Sequence, residues 1–301
     1  MARNDSELDE ERVSKTSIFL SWFSHQLHRT NYADNFLNAI GQHSSEPAAV
    51  FMDSMTVLLS SSHPSIVRNT LSFIANYLQV CLPLNHLALV SSKLIPRILS
   101  TPHFRDLSVL AEQKVLSSIF SIFRLSVGLA QPHSVQALSP DAGPQSIRNV
   151  VLHEVMIPIE PSLVQISRNH SLSSWIDQSA EPLALLVKIF EVSAFDQPTL
   201  DYICSSHIPM VFQSLFSKVE DDWLHQSIIY YTSDLVNEWR TDGTETMRRG
   251  RILFLTLERG GFRDHLEQIL LHDKASINGR RMMFYSFRIM NTLGVNSLLP
   301  E

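Results

Sequence analysis

The stretch 181–217, EPLALLVKIFEVSAFDQPTLDYICSSHIPMVFQSLFS, constrains the fold more than any other, because weaker copies of it recur along the chain. It reads as a long apolar helix, a shorter second helix, and then Ile208-Pro209 opening a third. Comparable joints are Ile95-Pro96 in SSKLIPRILS, Ile157-Pro158 in EVMIPIEPSLVQI and Phe262-Arg263 in ERGGFRDHLEQILL, each between two apolar segments. Counted from residues 96, 158, 209 and 263, the spacings are 62, 51 and 54 residues. Self-similarity at a few tens of residues marks stacked repeats, in which each unit buries its apolar face on its neighbours only.

Composition agrees with that plan. A chain of 301 residues lies at the edge of what one ordinary core supports, a limit that stacking removes. The apolar fraction is 44% and the charged fraction 18%, which supplies a core and carries no global disorder signature. Glycine is scarce, and alternating patterns closed by Asn-Gly or Asp-Gly turns are absent, so helix is expected throughout. No run of about 18 apolar residues occurs, so no membrane span is expected. The opening MARNDSELDEERVSK is polar and acidic, unlike a signal peptide. Cys81 and Cys204 stand far apart without a CxxC, which reads as two reduced, buried thiols rather than a disulfide framework or zinc site. A cytoplasmic or nuclear protein is the expectation.

Along the chain, 1–13 reads as a disordered acidic tail and 14–301 as a single helical domain. The first helix should begin near Ser14, with Ile18, Phe19, Trp22 and Phe23 on one side. Helices follow over 32–41 and 47–60; after the break at Ser61–Pro64, the stripe Leu71, Ile74, Leu78 predicts another. Residues 107–129 carry the stripe Leu116, Ile119, Phe120, Phe123, Val127. The proline-rich segment 131–146 reads as an exposed inserted loop, which accounts for the longest spacing. Helix resumes over 149–166, a polar connection spans 167–180, and a helix over 220–240 carries the stripe Ile228, Tyr231, Leu235, Trp239. Helices at 244–258, 262–271 and 277–293 complete the chain, with Gly260-Gly261 at a sharp turn.

The joints also carry a resemblance. Ser205-Ser206-His207-Ile208-Pro209 before MVFQSLF, and Gly260-Gly261-Phe262 before RDHLEQILL, resemble the joint ahead of the third helix of an armadillo repeat. SHPSIVRNTLSFIANYL (62–78) is similar to the family's first turn and second helix. The resemblance covers roughly 47–293. It implies an all-α, right-handed α-solenoid, an armadillo-like superhelix of about four irregular three-helix repeats. The spacings here exceed the roughly 40–47 residues of such repeats. The tryptophan-to-asparagine ladder of import adaptors is missing: Gln26, Ser179, Ser227 and Gly243 stand four places after the tryptophans.

Catalytic patterns are sparse. No glycine-rich phosphate loop, HExxH or G-x-S-x-G elbow is present. His25 with His28, His153 with Glu154, His265 near Glu267, and Cys204 with His207 are neighbours of the kind that 13 histidines and 30 acidic groups produce by chance. The expectation is therefore a protein that is not an enzyme and needs no cofactor or metal, with a helical enzyme of unknown reaction, its pocket between helices, as the second alternative. MMFYSF (282–287) reads as the apolar face sealing the last repeat, with a ligand box as the alternative.

What remains is a surface for partners. In the armadillo arrangement the third helices line the inner surface, which points to 96–102, 158–166, 209–218 and 263–272. Arg97, Gln165, Gln213, Arg263 and Gln268 are then the candidate partner-binding side chains for an extended protein or peptide. Residues 244–290 carry nine basic and five acidic groups, net +4, against −10 for the remainder with 15 basic and 25 acidic. Arg248, Arg249 and Arg251 are accordingly candidates for an acidic or phosphorylated ligand or nucleic acid, the alternative being a solvated cap. The overall charge of −6 argues against nucleic acid along the whole chain.

Overall fold

A computed structural model describes residues 5–27, 32–41, 47–105, 110, 115–138, 143–169, 181–216, 222–258, 262–264, 266–267, 285–286 and 288–289. Every regular element among the described residues is helical. None of their helices is long and apolar enough to cross a membrane. Where the sequence suggested one domain, the chain divides into two compact units, Met1–Ile159 and Glu160–Glu301.

The first unit contains α1 (Asp5–Gln26), α2 (Tyr32–Gly41), α3 (Pro47–Leu59), α4 (Pro64–Val80), α5 (Pro83–Ser91), α6 (Leu94–Leu99), α7 (Leu116–Gly128), α8 (Pro132–Leu138) and α9 (Pro144–Val151). Helices α3, α4, α5, α8 and α9 each begin on proline, where the missing N–H has no intrahelical partner to lose. Helix α4 is the central element, packing on α1, α3 and α7. The stripe Leu71, Ile74, Leu78 is buried in it, as are all five predicted positions of α7. Phe23, Phe36, Phe51 and Phe73 bring one ring from each of α1 to α4 into contact, with centroids 5.0–6.2 Å apart.

Three expectations change here. The tail expected over 1–13 is helical from Asp5, so α1 starts well before Ser14. In α1 the buried side chains are Leu20 and Ser24, with Leu27 buried just past its end, while Ile18, Phe19 and Trp22 are 66%, 53% and 57% exposed. On the side of α1 facing α4, Ser17 and Ser24 accept from Asn69 and Asn76, and the bulkier stripe lies on the outer side. The loop expected over 131–146 holds α8, with Val135 and Leu138 buried, and the start of α9. Pro132 and Pro144 each start a helix instead of breaking one. Ser139-Pro140 lies outside the described residues.

The Ile157-Pro158 joint is also absent. Helix α9 runs through a π turn (Leu152–Met156) directly into α10 (Ile157–Arg168), and the boundary between the units falls inside α10. The Ile157 N–H bonds to the Leu152 carbonyl five residues back. A proline ring clashes with the carbonyl four residues earlier in a regular helix, and the widened turn accommodates Pro158 without a break.

The second unit continues with α11 (Glu181–Ser193), α12 (Gln197–Ser205), α13 (Ile208–Phe216), α14 (Asp222–Asp242) and α15 (Thr244–Glu258). Asp196 caps α12, its carboxylate accepting the Thr199 N–H at 3.0 Å. Helix α11 packs on α12, α13 and α14, and α15 packs on α12, α13 and α14. Gly243 turns the chain between α14 and α15 at φ 138°, a conformation that favours glycine. The Ile95-Pro96 and Ile208-Pro209 joints stand as expected, each opening a short helix with its isoleucine fully buried. Phe262 is buried against Phe212 and Phe216 at 5.5 and 5.7 Å, so one joint helix seats the apolar residue of the next. Gly260-Gly261, Trp175 and most of 277–293 lie outside the described residues.

Candidate partner-binding surface

Helix α10 is two-faced. Ile159, Leu163 and Ile166 are fully buried, while Pro161, Gln165 and Arg168 recur on the opposite, exposed side. With Val164 and Asn169 they form an open, shallow patch along the helix. Helix α13 stands beside it, the Ser214 hydroxyl donating to the Ser167 carbonyl at 3.4 Å. Gln213 is half-buried on α13 and Met210 is exposed. The structure thus places Gln165 and Gln213 on neighbouring helices of one unit.

Glu160 sets that arrangement. Its Oε2 accepts the Tyr202 hydroxyl at 2.5 Å, and its Oε1 accepts the His207 backbone N–H at 2.9 Å, with His207 Nδ1 at 3.0 Å. One carboxylate on α10 therefore holds the last turn of α12 and the residue before α13. Burial works against the charge of Glu160, but the bonds from Tyr202 and His207 together outweigh it and hold the carboxyl below its ordinary range. The Tyr202 phenol is pushed up, first by burial and then by the same carboxylate. This tethering links residues 42 and 47 apart. No local pattern marks Glu160; only the repeat spacing relates it to the next joint.

The arginines are engaged within the chain. Arg97 pairs with Asp53. Arg248 donates to Glu245 at 3.0 and 2.8 Å, and Arg249 lies 3.2 Å from the same carboxylate. Arg249 also reaches Gln197 and the Ala194 carbonyl, both at 3.4 Å, tying α15 to the start of α12. Arg263 donates to Glu267 at 2.6 Å. Arg251 is exposed and has no ion-pair partner among the described residues. Gln268, Arg280 and Arg281 lie outside the described residues. The described basic groups of 244–267 are thus largely matched by local acids rather than gathered into one patch.

Both cysteines are half-buried and free. Burial and then the Asp34 charge push the Cys81 thiol up to about 12. Cys204 accepts the Thr256 hydroxyl at 3.4 Å. Glu154 pairs with Lys93, and His153 beside it is exposed. Among the described residues no group of three or more His, Cys, Asp and Glu side chains is arranged to hold a metal ion. No protein-family model matches the chain, and no curated protein matches it.

Proposed function

We propose that the chain is a non-catalytic protein–protein interaction scaffold, built on the armadillo-like, right-handed stacked-helix plan, which holds an extended peptide of a partner across α10 and α13. The observation that carries this reading is the open face of Pro161, Gln165 and Arg168 beside Gln213, fixed by the Glu160 bonds. Amide side chains on a rigid helical face can pair with an extended backbone while Arg168 meets an acidic group.

The stacked plan is supported by the spacing of the polar contacts. Asn69 with Ser17, Asn85 with Asp34, His103 with Ser61, His207 with Glu160, Ser214 with Ser167 and Thr256 with Cys204 join residues 52, 51, 42, 47, 47 and 52 apart. Separations of a few tens of residues, from 40 for His86 with Ser126 to 61 for Lys93 with Glu154, are what neighbour-on-neighbour stacking produces.

The test is quantitative affinity capture from the native cell with three baits: the unaltered chain, the triple variant Gln165→Glu, Arg168→Glu, Gln213→Glu, and the control Arg251→Glu. The reading expects a partner retained by the control and lost from the triple variant. Identical partner sets on all three baits would contradict it.

A further inference from the structure

A second surface lies on α1. One side of the helix faces α4 through Ser17 and Ser24, and the other carries exposed Glu11, Lys15, Ile18, Trp22 and His25, with Phe19 beside them. Those five follow one another at steps of four, three, four and three residues, the spacing of a coiled-coil seam. The middle of the stripe is apolar, and Ile18, Phe19 and Trp22 are each more than half exposed. The two rings are seated on the core: Phe19 and Trp22 lie 5.6 and 6.3 Å from Phe23, which reaches Phe36 and Phe73 at 5.0 and 5.7 Å. Single exposed apolar side chains are ordinary, whereas a contiguous set rimmed by charges marks a contact face. The outer helix of a stack that faced only water would be polar here.

We propose that this stripe is a dimerisation seam, on which α1 of a second copy of the chain packs antiparallel. The order of the side chains selects that occupant and that direction. Glu11 and His25 stand seven residues before and after Ile18, so a two-fold axis at Ile18 brings each acid opposite the imidazole of the other copy. The same axis sets Lys15 beside Trp22 of the other copy, where the aliphatic stem covers the indole and the ammonium meets its face. Both contacts occur twice. Glu11 already pairs with Lys15 at 2.7 Å in its own helix, and a carboxylate with about four acceptor positions takes a further donor. Parallel packing would set Glu11 against Glu11 and Lys15 against Lys15, which repel. A different protein would have to supply this order of acid, apolar centre and base, whereas a second copy supplies it by symmetry. The seam belongs to the first unit and the α10–α13 face to the second, so either reading can fail without the other.

The experiment follows the mass of the full chain by analytical ultracentrifugation over a concentration series. The seam predicts a reversible rise from 34.2 kDa toward twice that mass. Trp22→Ala removes a central ring twice per dimer and should weaken association roughly tenfold or more. Glu11→Lys alone and His25→Glu alone each spoil the pairing at both ends and should weaken it roughly two- to tenfold. Mixed in equal amounts, those two variants are complementary at both ends, and the mixture should associate more tightly than either variant alone. All three positions are exposed, so an unchanged helical spectrum in each variant separates loss of the seam from loss of the fold. A mass that stays at 34.2 kDa through the millimolar range would leave the stripe to a different protein and overturn the proposal. A dimer indifferent to Trp22→Ala, or a mixture no tighter than its parts, would overturn it as well.

Discussion

Gly250 of α15 lies flat against the indole of Trp239 on α14: a Cβ at position 250 would meet Trp239 Cε3 at 2.1 Å. Trp239 is buried, so its ring can yield only by disturbing the apolar side chains around it. Replacing a helical glycine by alanine normally favours the helix by roughly 1 kcal/mol. Overpacking costs roughly 1–3 kcal/mol, occasionally more, and a 2.1 Å approach to a ring carbon puts this site at the upper end. Gly250→Ala is therefore expected to destabilise the second unit, read as a lower urea midpoint. In a Trp239→Leu background the same substitution should become neutral or stabilising.

Asn69 and Asn76 lie seven residues apart on α4 and bond Ser17 and Ser24, which share that spacing on α1. Each bond is worth about 1 kcal/mol. The double variant Asn69→Ala, Asn76→Ala should loosen α1, giving faster amide exchange and earlier proteolytic clipping over residues 11–27. Unaltered protection there would show that Leu20, Leu27 and Phe23 hold the helix alone.

His86 is buried with Nε2 3.1 Å from the Ser126 hydroxyl, and burial pushes its imidazole down to about 3. The unfolded chain takes up a proton at about pH 6.5 while the folded chain declines it until about pH 3. Unfolding therefore binds a proton between those values, and stability falls as pH drops, by up to about 1.4 kcal/mol per pH unit. Above about pH 6.5 the group contributes no slope. Urea midpoints at pH 7.5 and 5.5 check this: His86→Gln should lose less between them than the unaltered chain. Equal losses would place the acid sensitivity elsewhere.

Glu160 gathers two side chains and a backbone N–H into one tether. Glu160→Ala removes a charged acceptor from partly buried donors and should cost about 1–3 kcal/mol. Because its carboxyl is held low, the tether's stabilisation is present above the ordinary carboxylate range and is lost as pH falls through the lowered value. Loosening should appear as faster exchange over residues 202–213.

Helix content was legible because most apolar stripes keep the 3.6-residue period: Leu71, Ile74, Leu78 and the five positions of α7 are all buried. Orientation was less legible on α1, where Ser17 and Ser24 face α4 and its asparagines while Trp22 and Phe19 lie exposed. Proline was ambiguous: Pro64 and Pro209 lie in the first turns of helices, whereas a π turn carries the chain through Pro158. Of the candidate surface, Gln165 was named from an Ile157-Pro158 joint that the continuous helix replaces, although the side chain is exposed, and Gln213 follows a joint that stands; Glu160 was not readable, because its partners are 42 and 47 residues away. Arg97, Arg248, Arg249 and Arg263 read as free cations only while their acidic partners were not yet placed.

The central claim is that a partner lies across the exposed sides of α10 and α13. Amide hydrogen exchange of the chain alone and with its captured partner tests it most directly. The account predicts new protection concentrated in 161–169 and 207–214, with α4 and α7 unchanged. Protection confined to other segments, with 161–169 exchanging at the rate of the free chain, would contradict it.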